Sequence, residues 1–422
     1  MPQKKTDWFM KDRFGMFIHW GLYSIPARGE WVRSQERIST EDYRKYFDAF
    51  DPKDYRPREW ARLAREAGMR YAVLTAKHHD GFCLFDSGLT DYKATRTKAG
   101  RDLVREFLEA FRAEGLKVGL YYSLLDWHHP DYPAWGDPFH PMRGNEAFRD
   151  RKQDFGRYLD YFHGQVRELL TNYGKIDVLW LDFSYKGRDG DMAGETWRAA
   201  KLIRMVRGLQ PDILVNNRLG GDGTQKELTY GDFTSPEQSL PRAGIADGSG
   251  NPVPWEACIT LNDHWGYCAA DHNYKQPKEI VRALAECAGK NGNLILNVGP
   301  DARGNFPGES VEILKKVGAW MEKNGESIYG CTAAPLPKPD WGRYTKKGNR
   351  LYAHLLDRGI GPVVLEGLSG KIAGARLLSD GSEVDCSLPW NVAESGGDAF
   401  LNLRSSALPC EADTVVELAL KE

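Results

Sequence analysis

The sequence predicts an α/β chain with a (β/α)8 TIM-like barrel over residues 1–333 and a C-terminal antiparallel β-sandwich over residues 334–422. Three observations carry this expectation. Short apolar runs alternate with amphipathic stretches from residue 14 to about 325. The pattern changes to period two after a proline-rich segment at 333–339. Polar and aromatic residues gather where the apolar runs end. A chain of 422 residues accommodates both a barrel and a small module.

Eight runs read as buried parallel strands: 15–19, 71–75, 118–122, 178–181, 213–215, 228–233, 255–259 and 294–297. Between them lie helical patterns. Those at 60–67, 102–114 and 148–173 end before Gly68, Gly115 and Gly174, where a helix C-cap favours glycine. Others span 195–209, 278–290 and 310–324. A doubly wound open sheet is the rival arrangement. The segment AAPLPKP cannot continue a helix. Beyond it, alternating runs at 351–355, 362–365, 375–378, 399–403 and 415–420 are separated by Gly, Asp and Ser turns, as in a small antiparallel sandwich.

Composition excludes several classes. A net charge of −2, without Lys/Arg clusters among aromatics, argues against a nucleic-acid partner. No eighteen uncharged apolar residues run together, so no membrane span is expected. The seven cysteines are scattered and form no CxxC pair, which fits reduced thiols better than a disulfide scaffold or a Cys-ligated zinc. The N-terminal residues have no apolar signal region, so a cytoplasmic location is expected, or a secreted or periplasmic one if the chain is truncated. Thirteen Trp and nineteen Tyr suit stacking on sugar rings and core filling alike.

In a parallel barrel, chemistry sits at the C-terminal ends of the strands. There the sequence places His19, the pair His78 and His79, Tyr121 and Tyr122, Asp182, Arg218, Glu237 and Trp265. Asp182 closes a fully apolar run, so it is either a helix cap or a site carboxylate. Glycoside hydrolysis needs two carboxyls flanking one bond, about 5–5.5 Å apart when configuration is retained. Asp182 suits the ionised nucleophile. Glu237, in a loop just past a run, is favoured as the proton donor over Glu227 in a Gly-rich loop and Glu256 at the start of an apolar run. Adjacent histidines on an extended segment point oppositely, so His78-His79 and His128-His129 each offer one ligand to any single site. No catalytic metal is expected. The glycines at 290–300 lack both phosphate-loop spacings and read as a turn into a strand.

These residues carry a family resemblance. FGMFIHWG at 14–21, GEW at 29–31, TAKHHDGF at 75–82, GLYYS at 119–123, DW at 126–127, WLD at 180–182, NR at 217–218, TSPE at 234–237, WE at 255–256, WGY at 265–267 and NGNLILNVGP at 291–300 all take part. Over essentially its whole length the chain resembles the α-L-fucosidases of glycoside hydrolase family 29. The resemblance implies double displacement through a fucosyl-enzyme without a cofactor, acting on fucosylated oligosaccharides or glycoconjugates. It casts Asp182 as nucleophile and His19, His78, His79, one or both of Tyr121 and Tyr122, and Trp180 as sugar contacts. Arg218 would position the second carboxylate. Glu237 matches the acid/base of one branch and Glu227 that of another. Glu30 and Trp31 would add binding groups, and Trp265 or Trp31 would face the sugar's methyl group. The alternatives are a barrel glycosidase for another sugar, such as galactose, and a non-catalytic carbohydrate-binding homologue. Leaving-group selectivity is expected in 132–145, 220–223 and 244–254.

Overall fold

The computed structural model describes residues 5–187, 190–224, 228–390, 396–405 and 407–421. In chain order the first strands are β1 (Phe14–Ile18), β2 (Tyr71–Lys77), β3 (Lys117–Ser123) and β4 (Val178–Asp182). A short antiparallel hairpin, β5 (Tyr185–Gly187) and β6 (Gly190–Met192), follows. Then come β7 (Leu214–Val215), β8 (Trp255–Thr260) and β9 (Gly292–Val298). Seven of these form one sheet in the order β7-β4-β3-β2-β1-β9-β8, every pair parallel. The sheet is a curled half-barrel.

Strand alternation sorts the side chains into two layers. Phe17, Tyr71, Val73, Tyr121, Val178, Trp180, Cys258 and Ile295 make an inner cluster. Their neighbours Met16, Ile18, Ala72, Leu74, Tyr122, Leu179 and Leu181 pack outward in the larger cluster with the helices. Those helices start where the sequence supplies a cap or a proline. Asp102 accepts from Arg105 N ahead of the helix Leu103–Ala113, and Pro57 opens Pro57–Glu66. Asp154 caps Phe155–Thr171, so the helix expected from 148 begins only at 155. Gly68, Gly115 and Gly174 follow helices with φ of +88°, +75° and +70°, as their positions predict.

The run at 228–233 forms no strand. Residues 233–237 make isolated parallel bridges instead, Asn216 to Phe233 on one side and Thr234 to Trp255 and Glu237 to Cys258 on the other. The cause is local. The Asp232 carboxylate accepts from Val215 N at 2.9 Å and also pairs with Arg207 and Lys5, so a side chain takes a ladder donor of β7. Gly231 lies so close to the backbone of Asn216 that a Cβ would meet its carbonyl oxygen at 2.7 Å.

The C-terminal strands are β10 (Thr332–Ala333), β11 (Gly342–Lys347), β12 (Arg350–Leu355), β13 (Val363–Leu365), β14 (Ile372–Leu377), β15 (Ala399–Leu401) and β16 (Thr414–Leu420). They form a five-stranded antiparallel sheet, β10-β11-β12-β16-β14, and the pair β13-β15. Leu351, Leu355, Val363, Leu365, Leu401, Val416 and Leu418 share one core. Polar contacts fasten this part to the half-barrel: Trp320 Nε1 donates to Asp413 O at 2.9 Å, and Thr345 Oγ1 to Ser327 O at 2.7 Å. His354, fully buried on β12, faces Asp413 at 2.7 Å on the C-terminal side of this junction.

Candidate active site

At the C-terminal ends of the parallel strands a narrow pocket is lined by Phe17, His19, Trp31, His78, His79, Tyr121, Trp180, Asp182, Phe183, Arg218, Glu237, Cys258 and Trp265. Asp182 ends β4 and is 8% exposed. Its Oδ2 accepts from Tyr121 Oη at 2.8 Å and its Oδ1 from Arg218 Nη1 at 2.9 Å. Burial raises its pKa above the ordinary aspartate value, opposed by the Arg218 charge and the Tyr121 hydrogen bond and reinforced by Glu237. The same Arg218 Nη1 lies 2.7 Å from Glu237 Oε2, and the Glu237 side chain is 41% exposed. Two oxygens held by one nitrogen can be no further apart than about 5.6 Å, a bound that accommodates the carboxyl spacing of retaining enzymes.

Arg218 is itself held. Its Nε and Nη2 donate to Ser235 Oγ at 3.1 Å and Ser235 O at 3.0 Å, and its guanidinium carbon lies 4.6 Å from the centre of the Trp180 ring. Burial disfavours its charge, but the carboxylates of Asp182 and Glu237 outweigh this and raise its pKa. Three histidines face the pocket, and all three are kept neutral chiefly by burial, His19 with a pKa lowered to about 3. A buried carboxylate, a partly exposed second carboxylate on the same cation and a wall of neutral imidazoles and aromatic rings can bind a neutral polyol and exchange an acetal.

Known proteins resemble this chain in sequence and fold. The α-L-fucosidase family model matches residues 2–326. Plasma α-L-fucosidase of Rattus norvegicus is 31% identical over 346 residues, covering 76% of this chain and 70% of that one. The chain belongs to the α-L-fucosidase family. Among solved structures, α-L-fucosidase isoenzyme 1 from Paenibacillus thiaminolyticus is 62% identical, with a TM-score of 0.96 and 99% of each chain covered. A Bacteroides thetaiotaomicron GH29 α-L-fucosidase, solved as a trapped covalent intermediate with 2-fluoro-fucosyl fluoride, is 27% identical with a TM-score of 0.85, covering 100% of this chain and 97% of that one. This fucosidase-family chain is therefore an enzyme, a glycoside hydrolase.

Several residues expected at the fucosidase pocket lie elsewhere. Tyr122 points into the helical layer, where its hydroxyl bonds Gln165 Oε1 at 2.7 Å, because alternation along β3 sends only Tyr121 inward. Glu30 is buried with Oε2 accepting from Gly266 N at 2.8 Å, so it secures the loop that carries Trp265 and does not line the pocket. Glu256 sits under the pocket floor, 1% exposed, bonded to the Tyr71 hydroxyl and to Trp180 Nε1. It is not placed as an acid/base there. Glu227 lies outside the described residues. The expectation that His78 and His79 point oppositely fails as well. β2 ends at Lys77, the chain turns, and both rings face the pocket with centroids 4.0 Å apart.

Sequence reasoning missed other contributors. Asn216 uses both ends of its amide on Leu181, accepting from its N at 2.9 Å and donating to its O at 2.8 Å, which steadies the backbone just before Asp182. Phe183, immediately after Asp182, has a φ of +85°, a conformation costly for a bulky residue and common at functional sites. The turn aims its ring at Trp31 and His79. Nothing in the sequence signals this.

Burial lifts the Glu256 carboxyl to about 7, against the opposing hydrogen bonds from Tyr71 and Trp180. It is thus protonated in the fold at pH values where the unfolded chain, at the ordinary value of 4.5, has released the proton. Stability linked to this group is full below pH 4.5 and declines as pH rises to about 7. Glu256→Gln, which cannot ionise, should melt close to wild type at pH 5 and about 2–4 °C above it at pH 8 in thermal unfolding. An equal offset at both pH values would mean that the carboxyl does not titrate in the fold.

Proposed function

We propose that the chain is a retaining exo-α-L-fucosidase that cleaves terminal α-L-fucosyl linkages of oligosaccharides or glycoconjugates. The observation that carries this reading is the sharing of one Arg218 nitrogen by Asp182 and Glu237, which keeps their nearest oxygens within about 5.6 Å. Asp182, buried and aimed by Tyr121 and Arg218, attacks the anomeric carbon. Glu237, at the open side of the pocket, protonates the departing glycosidic oxygen and then, as carboxylate, takes a proton from the water that releases fucose. The covalent intermediate of the Bacteroides thetaiotaomicron relative supports the same course here.

His19, His78, His79 and Tyr121 serve the sugar hydroxyls, and Trp31, Phe183 and Trp265 supply the apolar wall that a 6-deoxy sugar needs. The fold proposed is a (β/α)8-like barrel whose sixth strand is reduced to the bridges at 233–237, with a C-terminal β-sandwich beginning near residue 333. Leaving-group contacts are assigned to the insert at 132–145. Its Phe139 packs on Trp31, and its Trp135 and Asp137 border a cavity of about 380 Å³ with Tyr185 of the hairpin.

Hydrolysis of 4-nitrophenyl α-L-fucoside, followed by NMR of the first-formed anomer, tests the reading. Initial release of α-L-fucose is expected, with turnover of the α-L-galactoside, which differs only by the 6-hydroxyl, slower by up to about 10²-fold, because the wall proposed to face the methyl group is largely aromatic. Initial release of the β-anomer would reject retention, and preference for the galactoside would reject fucose.

A further inference from the structure

We propose that Asn297 is a positioning residue that locks His19 in its Nδ1–H form, so that the pocket presents a bare Nε2 acceptor at His19 beside an Nε2–H donor at His78. The proposal deepens the fucosidase reading and relies on it only for the identity of the sugar.

The argument begins on β9, where Asn297 faces inward at the strand's end. Its Nδ2 donates to Trp265 O at 2.7 Å. A backbone carbonyl can only accept, so the amide cannot be turned round without setting two acceptors against each other. The Oδ1 is thereby the atom that meets His19 Nδ1, at 2.7 Å. An amide oxygen has no proton to give, so Nδ1 carries it. The ring is neutral: it is enclosed by Phe17, Trp265, Tyr121 and His78, whose centroids lie 4.6–5.5 Å away, and the nearby charge of Arg218 disfavours a second proton. A neutral imidazole with its proton on Nδ1 has a lone pair on Nε2.

His78 has the opposite arrangement. Its Nδ1 is buried and has no partner among the described residues. The ring lies 5.5 Å from Tyr121, nearly parallel to it. A buried N–H without an acceptor is rarer and costlier than a bare lone pair, so the single proton belongs on Nε2. His79 takes no part in the assignment, because its partner at 2.6 Å, Ser123 Oγ, can either donate or accept.

The consequence is a recognition rule with a sign. One hydroxyl of the sugar must donate to His19, and a second oxygen accepts from His78. A fluorine in place of the first hydroxyl keeps its size and loses its proton. Asn297 enforces the rule without touching the sugar, and by holding Trp265 O it aligns the apolar wall with the same amide.

The tautomer can be read directly in the full-length protein labelled with 15N-histidine, using two-bond 1H–15N correlation spectra at pH 7. The His19 signals are those absent from His19→Gln. They should show the Nδ1–H pattern in wild type, and a Nε2–H or mixed pattern in Asn297→Leu. A Nε2–H pattern for His19 in wild type overturns the proposal, whether or not the protein hydrolyses fucosides.

The second readout is the inhibition constant of L-fucose and of each monodeoxyfluoro-L-fucose. One fluorinated sugar should bind wild type at least about tenfold more weakly than fucose, and Asn297→Leu should shrink that gap to about threefold or less. An unchanged gap in Asn297→Leu also overturns the proposal, since a merely structural asparagine would weaken every ligand alike. If no sugar of the series inhibits, the fucose reading fails, and the spectra still decide the tautomer.

Discussion

Asp182→Gly should hydrolyse 4-nitrophenyl α-L-fucoside at least about 10³-fold more slowly than wild type, and azide should restore turnover by giving β-L-fucosyl azide. The size of the loss follows from what the carboxylate is set up to do. It is buried at the end of a strand, and both of its oxygens are aimed, by Tyr121 at 2.8 Å and by Arg218 at 2.9 Å. Removing the side chain leaves space at the attacking position, and Arg218 keeps its contact with Glu237, so the local charge stays compensated. A small anion entering there attacks in a single displacement, so the product azide is inverted. Normal melting of the variant alongside lost activity separates chemistry from unfolding. Full activity without azide would remove Asp182 from the reaction. In wild type the acid limb of kcat/KM should lie above the ordinary aspartate range, because burial raises the Asp182 pKa.

The second large effect is expected at Glu237, and its size should depend on the substrate. 4-Nitrophenolate departs without a proton, so for that substrate Glu237→Ala should slow mainly the release of the fucosyl-enzyme. For a saccharide leaving group, which departs as an alkoxide unless protonated, kcat/KM should fall by about 10²–10⁴-fold. Azide should again accelerate the aryl glycoside, this time giving α-L-fucosyl azide, because it intercepts the covalent intermediate from the face where Glu237 activates water. The configuration of the two azides therefore assigns both roles. A β-azide from the Glu237 variant would exchange them. Undiminished cleavage of a fucosyl disaccharide would place the donor elsewhere, with Glu227 the next residue to replace.

How much of this was legible in the sequence depends on how each element is stabilised. β1 to β4, β8 and β9 are stretches of buried residues whose apolar character is visible in one dimension, and they lie where the pattern puts them. Asp182 was visible for the same reason, as a charge at the end of such a stretch. The segment 228–233 carries enough apolar residues to read as a strand, yet the Asp232 carboxylate intercepts a ladder donor, a tertiary event no periodicity records. The choice between Tyr121 and Tyr122 needed the phase of β3, which two adjacent tyrosines conceal. Glu256 has the raised pKa sought in an acid catalyst, but depth beneath Trp180 withholds it from the pocket, and depth is invisible in a sequence. The left-handed turn at Phe183 and the amide of Asn297 act through geometry alone.

The reduced sixth strand has an evolutionary corollary. β4, which ends in Asp182, is paired with β3 along its length and with β7 at Val178 and Leu179, so inserting a residue within it would slip its register and disturb the inner layer of side chains. Glu237 is held to β8, where Cys258 N donates to Pro236 O at 3.0 Å and Cys258 O accepts from Gln238 N at 2.9 Å. The irregular chain beyond Gln238 can gain or lose residues without slipping those bonds. Both carboxylates on Arg218 are thus set by register, one at the end of a strand and the other on a short stretch fastened to its neighbour. Drift in loop length beyond Gln238 can therefore reshape the rim around the proposed catalytic pair while both carboxylates stay where Arg218 holds them.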